Sequence, residues 1–251
     1  SKTELVAFLD SDVILKKNYY QIIINYFVDY SELIAIQGVD MAMLESAEKF
    51  KNKNLFFKLL HYFEQVFETS TLLNRETAYV SPSLAVAHPN LDKDFEIKSQ
   101  WISTCAGVFK RYLFNNYNFP ENFITYSNNE YLYFSYKLFK NNEGLMLYTS
   151  KAKYRDIQTN SGRLSFIPLL YQIEVNDLFI FLRMFDKTFL NVAIFIKSRF
   201  GHLIYNILKM IYNKRFNFSN LIHVIHATFY PFMHWQEVKK GDLTFYEKDF
   251  S

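Results

Sequence analysis

The chain has 251 residues, 50% apolar and 19% aromatic, with 27 Phe and 19 Tyr against 6 Gly and 5 Pro, and a net charge of only +3. That composition excludes disordered and low-complexity classes and is enough for one large packed domain, while the charge is too small to argue for nucleic acid. A single cysteine, Cys105, excludes an internal disulfide and a Cys-rich zinc or iron–sulfur site, and points to a reducing compartment.

The first element is the apolar run Leu5 to Leu9, which ends abruptly in Asp10-Ser11-Asp12. It reads as a strand buried on both faces, with neighbours on both sides and the two carboxylates at its carboxyl end, where α/β sheets place chemistry. Side chains at i and i+2 of an extended segment point the same way, so Asp10 and Asp12 can approach one divalent cation together. The competing reading is that Asp12 caps a helix spanning Val13 to Tyr30. Because a buried strand opens the chain, the expectation is that residues preceded Ser1 in a larger fold.

Leu33 to Val39 reads as a second strand, giving a β-α-β order. Ser46 to Thr71 carries Phe50, Phe57, Leu60, Phe63 and Phe67 at helical spacing and reads as one long amphipathic helix with those residues in the core. Tyr79 to Lys98, with Pro82, Pro89 and Asn90, reads as a loop. Trp101 to Phe109 is strand-like, followed by a short helical patch, Lys110 to Asn115. Ser127 with Glu130 three residues on forms a capping box, which predicts a helix from Ser127 to Asn142. Leu145 to Thr149 predicts a short strand, and Arg155 to Arg163 a loop. Pro168 sits in the first turn of a helix ending near Phe185.

The apolar positions 189, 192, 193, 196, 200, 203, 204, 207, 208 and 211 then follow helical spacing, with Lys197, His202, Asn206 and Lys209 opposite. Leu221 to Trp235 is a last apolar segment, broken at Pro231. The pattern is α/β to residue 156 and helical over 157–251.

Three segments, in order, carry a resemblance to the inverting nucleotide-sugar glycosyltransferases of family 2, which have the GT-A fold. Val6-Ala7-Phe8-Leu9-Asp10-Ser11-Asp12-Val13 resembles the strand and DxD of that family. Gly107-Val108-Phe109-Lys110-Arg111 is similar to its small-residue strand and the Phe-Arg-Arg helix start on the acceptor side. Phe119-Pro120-Glu121-Asn122-Phe123, followed by Glu130-Tyr131-Leu132-Tyr133-Phe134-Ser135-Tyr136-Lys137-Leu138, is similar to its Phe-Asp-Glu turn and acidic helix. Tyr171 to Asn176 is a weaker echo, with Val175 where the family has Arg. The resemblance covers Ser1 to about Arg183.

The resemblance implies a GT-A-like, Rossmann-like mixed sheet with flanking helices, followed by a helical C-terminal region. It implies sugar transfer from a nucleotide-sugar donor to a glycan or lipid-linked acceptor, in cell-envelope polysaccharide assembly. Asp12 would hold Mg2+ or Mn2+, Asp10 would contact the ribose or support the metal, and Gly107, Lys110, Arg111 and Tyr131 would lie on the acceptor side. The base would be a carboxylate on the acidic helix, because attack by an acceptor hydroxyl must shed a proton. Glu130 matches the first acidic position, but Tyr131 falls where the family has its catalytic Asp, and tyrosine ionises near pH 10. Either Glu130 serves as base or this copy is a degenerate binding or scaffold domain. The strands that hold the nucleotide in the family precede the DxD strand, so the chain is expected to be the C-terminal part of such a domain and to hold donor weakly.

The same residues admit other readings. A DxD near the chain start also suits a haloacid-dehalogenase-type phosphatase, but Ile14 and the lack of a later acidic pair count against it. His223, His226 and His234 have a metal-like spacing, with an aromatic interface as the plainer alternative. From Lys187 to Gln236 there is no Asp or Glu, while Lys197, Arg199, Lys209, Lys214 and Arg215 are basic. That segment, 189–235, is expected either to lie in the plane of a membrane or to cap the fold. No run approaches the roughly 18 apolar residues that span a bilayer, and no signal peptide is visible. The expected location is cytoplasmic, with the inner face of the cell membrane as its extension, and no nucleic-acid partner is expected.

Overall fold

The computed structural model describes residues 3–50, 55–69, 71–121, 123, 129–157, 164–212 and 216–246, with the side chains of 47–50 excepted. The protein is mixed α/β through residue 156 and helical beyond it. In chain order the elements are β1 (Leu5–Ala7), β2 (Val13–Leu15), α1 (Tyr19–Asp29), β3 (Leu33–Asp40), α2 (Met41–Phe50), α3 (Leu55–Phe67), β4 (Glu96–Lys98) and β5 (Val108–Lys110). A 3-10 turn (Arg111–Asn115) follows, then α4 (Glu130–Lys140), β6 (Leu145–Asp156), α5 (Phe166–Met184), α6 (Phe189–Tyr212), α7 (Phe218–Met233) and α8 (Trp235–Lys240).

The sheet runs β1-β5-β3-β6-β2, with β4 also paired to β6. β5 is antiparallel to both β1 and β3, and β3 is parallel to β6. β1 and β2 occupy opposite edges, yet only residues 8–12 join them. Four strand spacings of about 4.8 Å are close to the reach of that link at about 3.4 Å per residue, so the sheet must curl and the link must pass over the strand ends.

β3 explains why the sheet has a covered centre. All eight of its residues are buried, the polar Gln37 and Asp40 included, because strands flank it on both sides. On one face Tyr19, Ile23 and Tyr26 of α1 pack on Leu33, Ile36, Leu147 and Tyr154. On the other, Phe134 and Leu138 of α4 pack on Ile34, Phe109 and Met146. A third cluster joins Trp101, Leu132 and Tyr148 to Leu170, Phe179, Phe195 and Val224, so the core crosses the change of structure at 156/157.

Several expectations are corrected. β1 is a half-exposed edge strand, paired with β5 alone among the described residues, not a strand buried on both faces. Val13 to Leu15 pairs with Tyr154 to Asp156 as β2, so Asp12 precedes a strand and caps no helix; α1 begins only after Asn18, in the left-handed region at φ 67°. Of the helix expected over 46–71, α2 to Phe50 and α3 from Leu55 to Phe67 are helical and 51–54 lie outside the described residues, and α3 has no fully buried residue. α4 starts at Glu130 with Asn129 as its N-cap at φ 68°, and Ser127 of the expected capping box lies outside the described residues. β6 runs on to Asp156 because its far half pairs with β2. Pro231 sits inside α7 without ending it.

Candidate active site at the strand ends

β1, β3 and β6 end, and β5 begins, at one edge of the curled sheet. The link Phe8 to Asp12 lies across that edge. Phe8 N donates to Gly107 O at 2.9 Å and Asp10 N to Cys105 O at 3.1 Å, which carries the β1–β5 pairing three residues past the strands. Val13 N donates to Asp10 O at 3.2 Å, closing the Asp10 to Val13 turn. Ile157 N donates to Asp12 O at 3.0 Å, tying the far side of the turn to the end of β6. The DxD is therefore pinned by its backbone at both ends, with Asp10 exposed and Asp12 partly so.

Two further aspartates close the same edge. Asp40, the last residue of β3, is buried, and its Oδ1 accepts from Ala42 N at 2.9 Å and Asp156 N at 3.3 Å. Burial raises the Asp40 carboxyl above the ordinary carboxylate range, with the two backbone donors acting against it. Asp156 ends β6 opposite Val13.

Cys105 lies between these groups. Burial pushes its thiol up to about 12, with Ser103 acting against it and the Asp10 charge acting with it, so it stays protonated. Tyr19 braces the backbone beneath: its hydroxyl accepts from Gly38 N at 3.0 Å and donates to Ala106 O at 2.6 Å. Glycine at 38 is required here, because a Cβ would stand 2.7 Å from Tyr19 Cε2.

α4 brings the remaining predicted side chain. Tyr131 packs against Trp101 with ring centroids 6.3 Å apart, and both Cys105 and Asp177 act on its hydroxyl electrostatically. Burial, the larger effect, holds that hydroxyl well above the usual tyrosine range, so Tyr131 can donate a hydrogen bond here but cannot serve as a base. Its neighbour Glu130 is half-buried on the first turn of α4, and no hydrogen bond or ion pair joins it to Asp10 or Asp12 among the described residues.

Behind α4 lies a group that the sequence did not reveal. Arg199 of α6 is buried with Glu174 and Asp177 of α5, its Nη1 at 2.5 Å from Asp177 Oδ2 and 3.3 Å from Glu174 Oε2. Asn129 donates to Asp177 Oδ1 at 3.2 Å, which links this triad to the cap of α4 and so to the seat of Tyr131.

The structure thus brings Asp10, Asp12, Gly107 and Tyr131 to one edge. It does not bring Lys110 and Arg111 there: they stand at the far end of β5, where Leu5 pairs with Lys110, and Lys110 Nζ donates to Ser31 O at 2.7 Å. The histidines have a packing role. Tyr171 Oη lies 2.9 Å from His226 Nδ1 and 3.4 Å from His223 Nδ1, and His234 stacks on Phe245.

Among the described residues no three His, Cys, Asp or Glu side chains stand together as a metal-holding group. Asp10 and Asp12 are a two-carboxylate set, which suits Mg2+ or Mn2+ only when a diphosphate and water supply the other oxygens. No protein-family model matches the chain, and no curated protein matches it.

Proposed function

We propose that the chain belongs to a GT-A-like, metal-dependent, inverting glycosyltransferase that moves a sugar from a nucleotide-sugar donor to a glycan or lipid-linked acceptor. The observation that carries the reading is the meeting of resembling segments far apart in sequence at one sheet edge: Phe8 N is bonded to Gly107 O and Asp10 N to Cys105 O, and Tyr131 of the third segment is within electrostatic reach of Cys105.

Asp12, with Asp10, would hold Mg2+ or Mn2+ against the donor diphosphate, and the cation would supply charge neutralisation at the leaving oxygens. The chain's own residues do the rest. The backbone bonds of Asp10 to Cys105 and Val13 hold the turn in place, the Tyr131 hydroxyl donates to an oxygen of donor or acceptor, and Glu130 is the candidate base that takes the proton of the acceptor hydroxyl.

A second reading is favoured by Tyr131. Buried and protonated at the base's place, it fits a domain that retains its donor edge and has lost transfer.

Saturation-transfer NMR with UDP and GDP detects weak complexes and tests the first reading. Mg2+-dependent nucleotide signals are expected from the wild type and from Glu130→Gln, and none from Asp12→Ala; signals equal in all three would overturn the donor edge. Release of nucleoside diphosphate from UDP- and GDP-sugars then separates the readings: a loss of about 100-fold or more in Glu130→Gln supports it as base, and binding without turnover in the wild type supports the scaffold.

A further inference from the structure

α3, α6 and α7 form a layer in which each helix turns an apolar stripe away from the core. The layer is held by specific contacts. Tyr212 near the end of α6 stacks on Phe56 at the start of α3, ring centroids 5.3 Å apart. Gly201 in mid-α6 faces the end of α3, so closely that a Cβ there would stand 2.5 Å from Phe67 Cβ. α3 is therefore antiparallel to α6, and α7 packs on the other side of α6.

The buried residues of α6 are Phe195, Ser198, Arg199, Gly201 and Met210. Of the periodic apolar positions, Leu203 and Ile207 pack against the core, while Phe189, Val192, Ile196, Phe200, Ile204 and Ile211 are exposed. Leu59 and Tyr62 of α3, Phe200 and Ile204 of α6, and Phe229 and Met233 of α7 are between 39% and 69% exposed. A slot of about 180 Å³ between α6 and α7, lined by Ile196, Phe200, Thr228, Phe229 and Phe232 with Arg199 at its side, shows that two of the stripes form one surface. Such a face far exceeds the scattered apolar residues ordinary for a monomer.

Charge decides what covers it. Glu64 of α3 and Glu68 just after it are both partly buried, Glu68 against Lys197, and α6 and α7 have no acid at all. Lys58 is exposed beside Leu59, and Lys197, at the seam of α3 and α6, neutralises Glu68. The face is thus apolar, free of acids and edged by lysine, and it offers few of the polar partners that a protein interface uses at about one hydrogen bond per 100–200 Å².

We propose that this three-helix face lies in the plane of an anionic lipid surface, with the stripes in the acyl boundary and the lysines at the headgroups. No helix among the described residues is long and apolar enough to cross a membrane, so the contact is peripheral. This inference does not rest on the transferase reading.

The test is flotation of the whole chain with vesicles of phosphatidylcholine alone and of phosphatidylcholine with 30% phosphatidylglycerol, beside sedimentation velocity without lipid. Flotation with the anionic vesicles is expected, at least tenfold weaker in Phe200→Asp/Phe229→Asp and in Leu59→Asp, and unchanged in Val28→Asp on α1. Absence of flotation from both vesicle types, or flotation that survives the stripe substitutions, would overturn the proposal. So would self-association that the double substitution abolishes without any vesicle binding, which would assign the face to a second copy of the chain.

Discussion

Replacing Glu174 by Gln should stabilise the protein at pH 8 and leave it unchanged at pH 5. Arg199 is the one cation between two buried carboxylates, and a single buried cation compensates only one of them. Asp177 has the shorter contact and the Asn129 donor besides, so it is the ionised partner. Glu174, at 3.3 Å, is left with burial as its dominant influence, and its carboxyl rises from 4.5 to about 7, against the pull of Arg199.

An acid whose folded-state value lies above its unfolded value binds its proton more tightly in the native state. The stability it confers is therefore full below pH 4.5, falls between 4.5 and about 7, and is gone above 7. At ~1.4 kcal/mol per pH unit that interval amounts to about 3 kcal/mol, an upper bound on what Gln, which keeps the shape and loses the titration, restores at pH 8. For a chain of this length the gain is a rise in Tm of about 6–12 °C. Thermal melts by circular dichroism at pH 5 and pH 8 measure it. Glu174→Gln less stable than wild type by the same margin at both pH values would refute the reasoning and mean that both carboxylates are charged and needed. Arg199→Met is the complement: it leaves the carboxylates without a cation and should cost about 3–5 kcal/mol at pH 8 and less at pH 5.

Two other outcomes follow from the packing. Cys105, held near 12 by burial, should react with iodoacetamide at pH 8 roughly 1000-fold more slowly than a free thiol and at the ordinary rate in urea; rapid labelling of the native chain would contradict its burial. Gly201→Val should cost about 1–3 kcal/mol in urea unfolding, because Phe67 Cβ and Thr69 Cγ2 stand 2.5 Å from the position of its Cβ, and an unchanged midpoint would mean that α3 does not seat on α6.

The parts of the fold legible in the sequence are those with one dominant signal. β3 showed through the apolar run Leu33 to Ile36, the start of α5 through Pro168, and the end of α4 through Asn141 to Gly144. Val13 to Leu15 was misread because three residues have too short a span for their period to show, and it is pairing with Arg155 that makes them a strand. Periodicity alone could not tell which side of α6 is buried, since a stripe is equally regular facing in or out; Arg199, the side chain that decides the matter, has its partners 22 and 25 residues away on α5.

The candidate site divides in the same way. Asp10 and Asp12 were visible as carboxylates after an apolar run, and Tyr131 as a departure from a pattern. Asp40 and Asp156 were not, because each looks like an ordinary strand-end residue until β3 and β6 lie side by side. Lys110 and Arg111 were misplaced because proximity to Gly107 in sequence says nothing of which end of β5 they occupy.

The measurement that bears most directly on the donor edge is paramagnetic broadening of backbone amide resonances by Mn2+ in the presence of UDP or GDP, for the wild type and Asp12→Ala. Broadening centred on Asp10 to Val13 with Cys105 and Ile157, and lost in Asp12→Ala, is the predicted result. Broadening that is centred elsewhere, or is the same in both proteins, would contradict a metal–diphosphate site at the Asp10-Ser11-Asp12 turn.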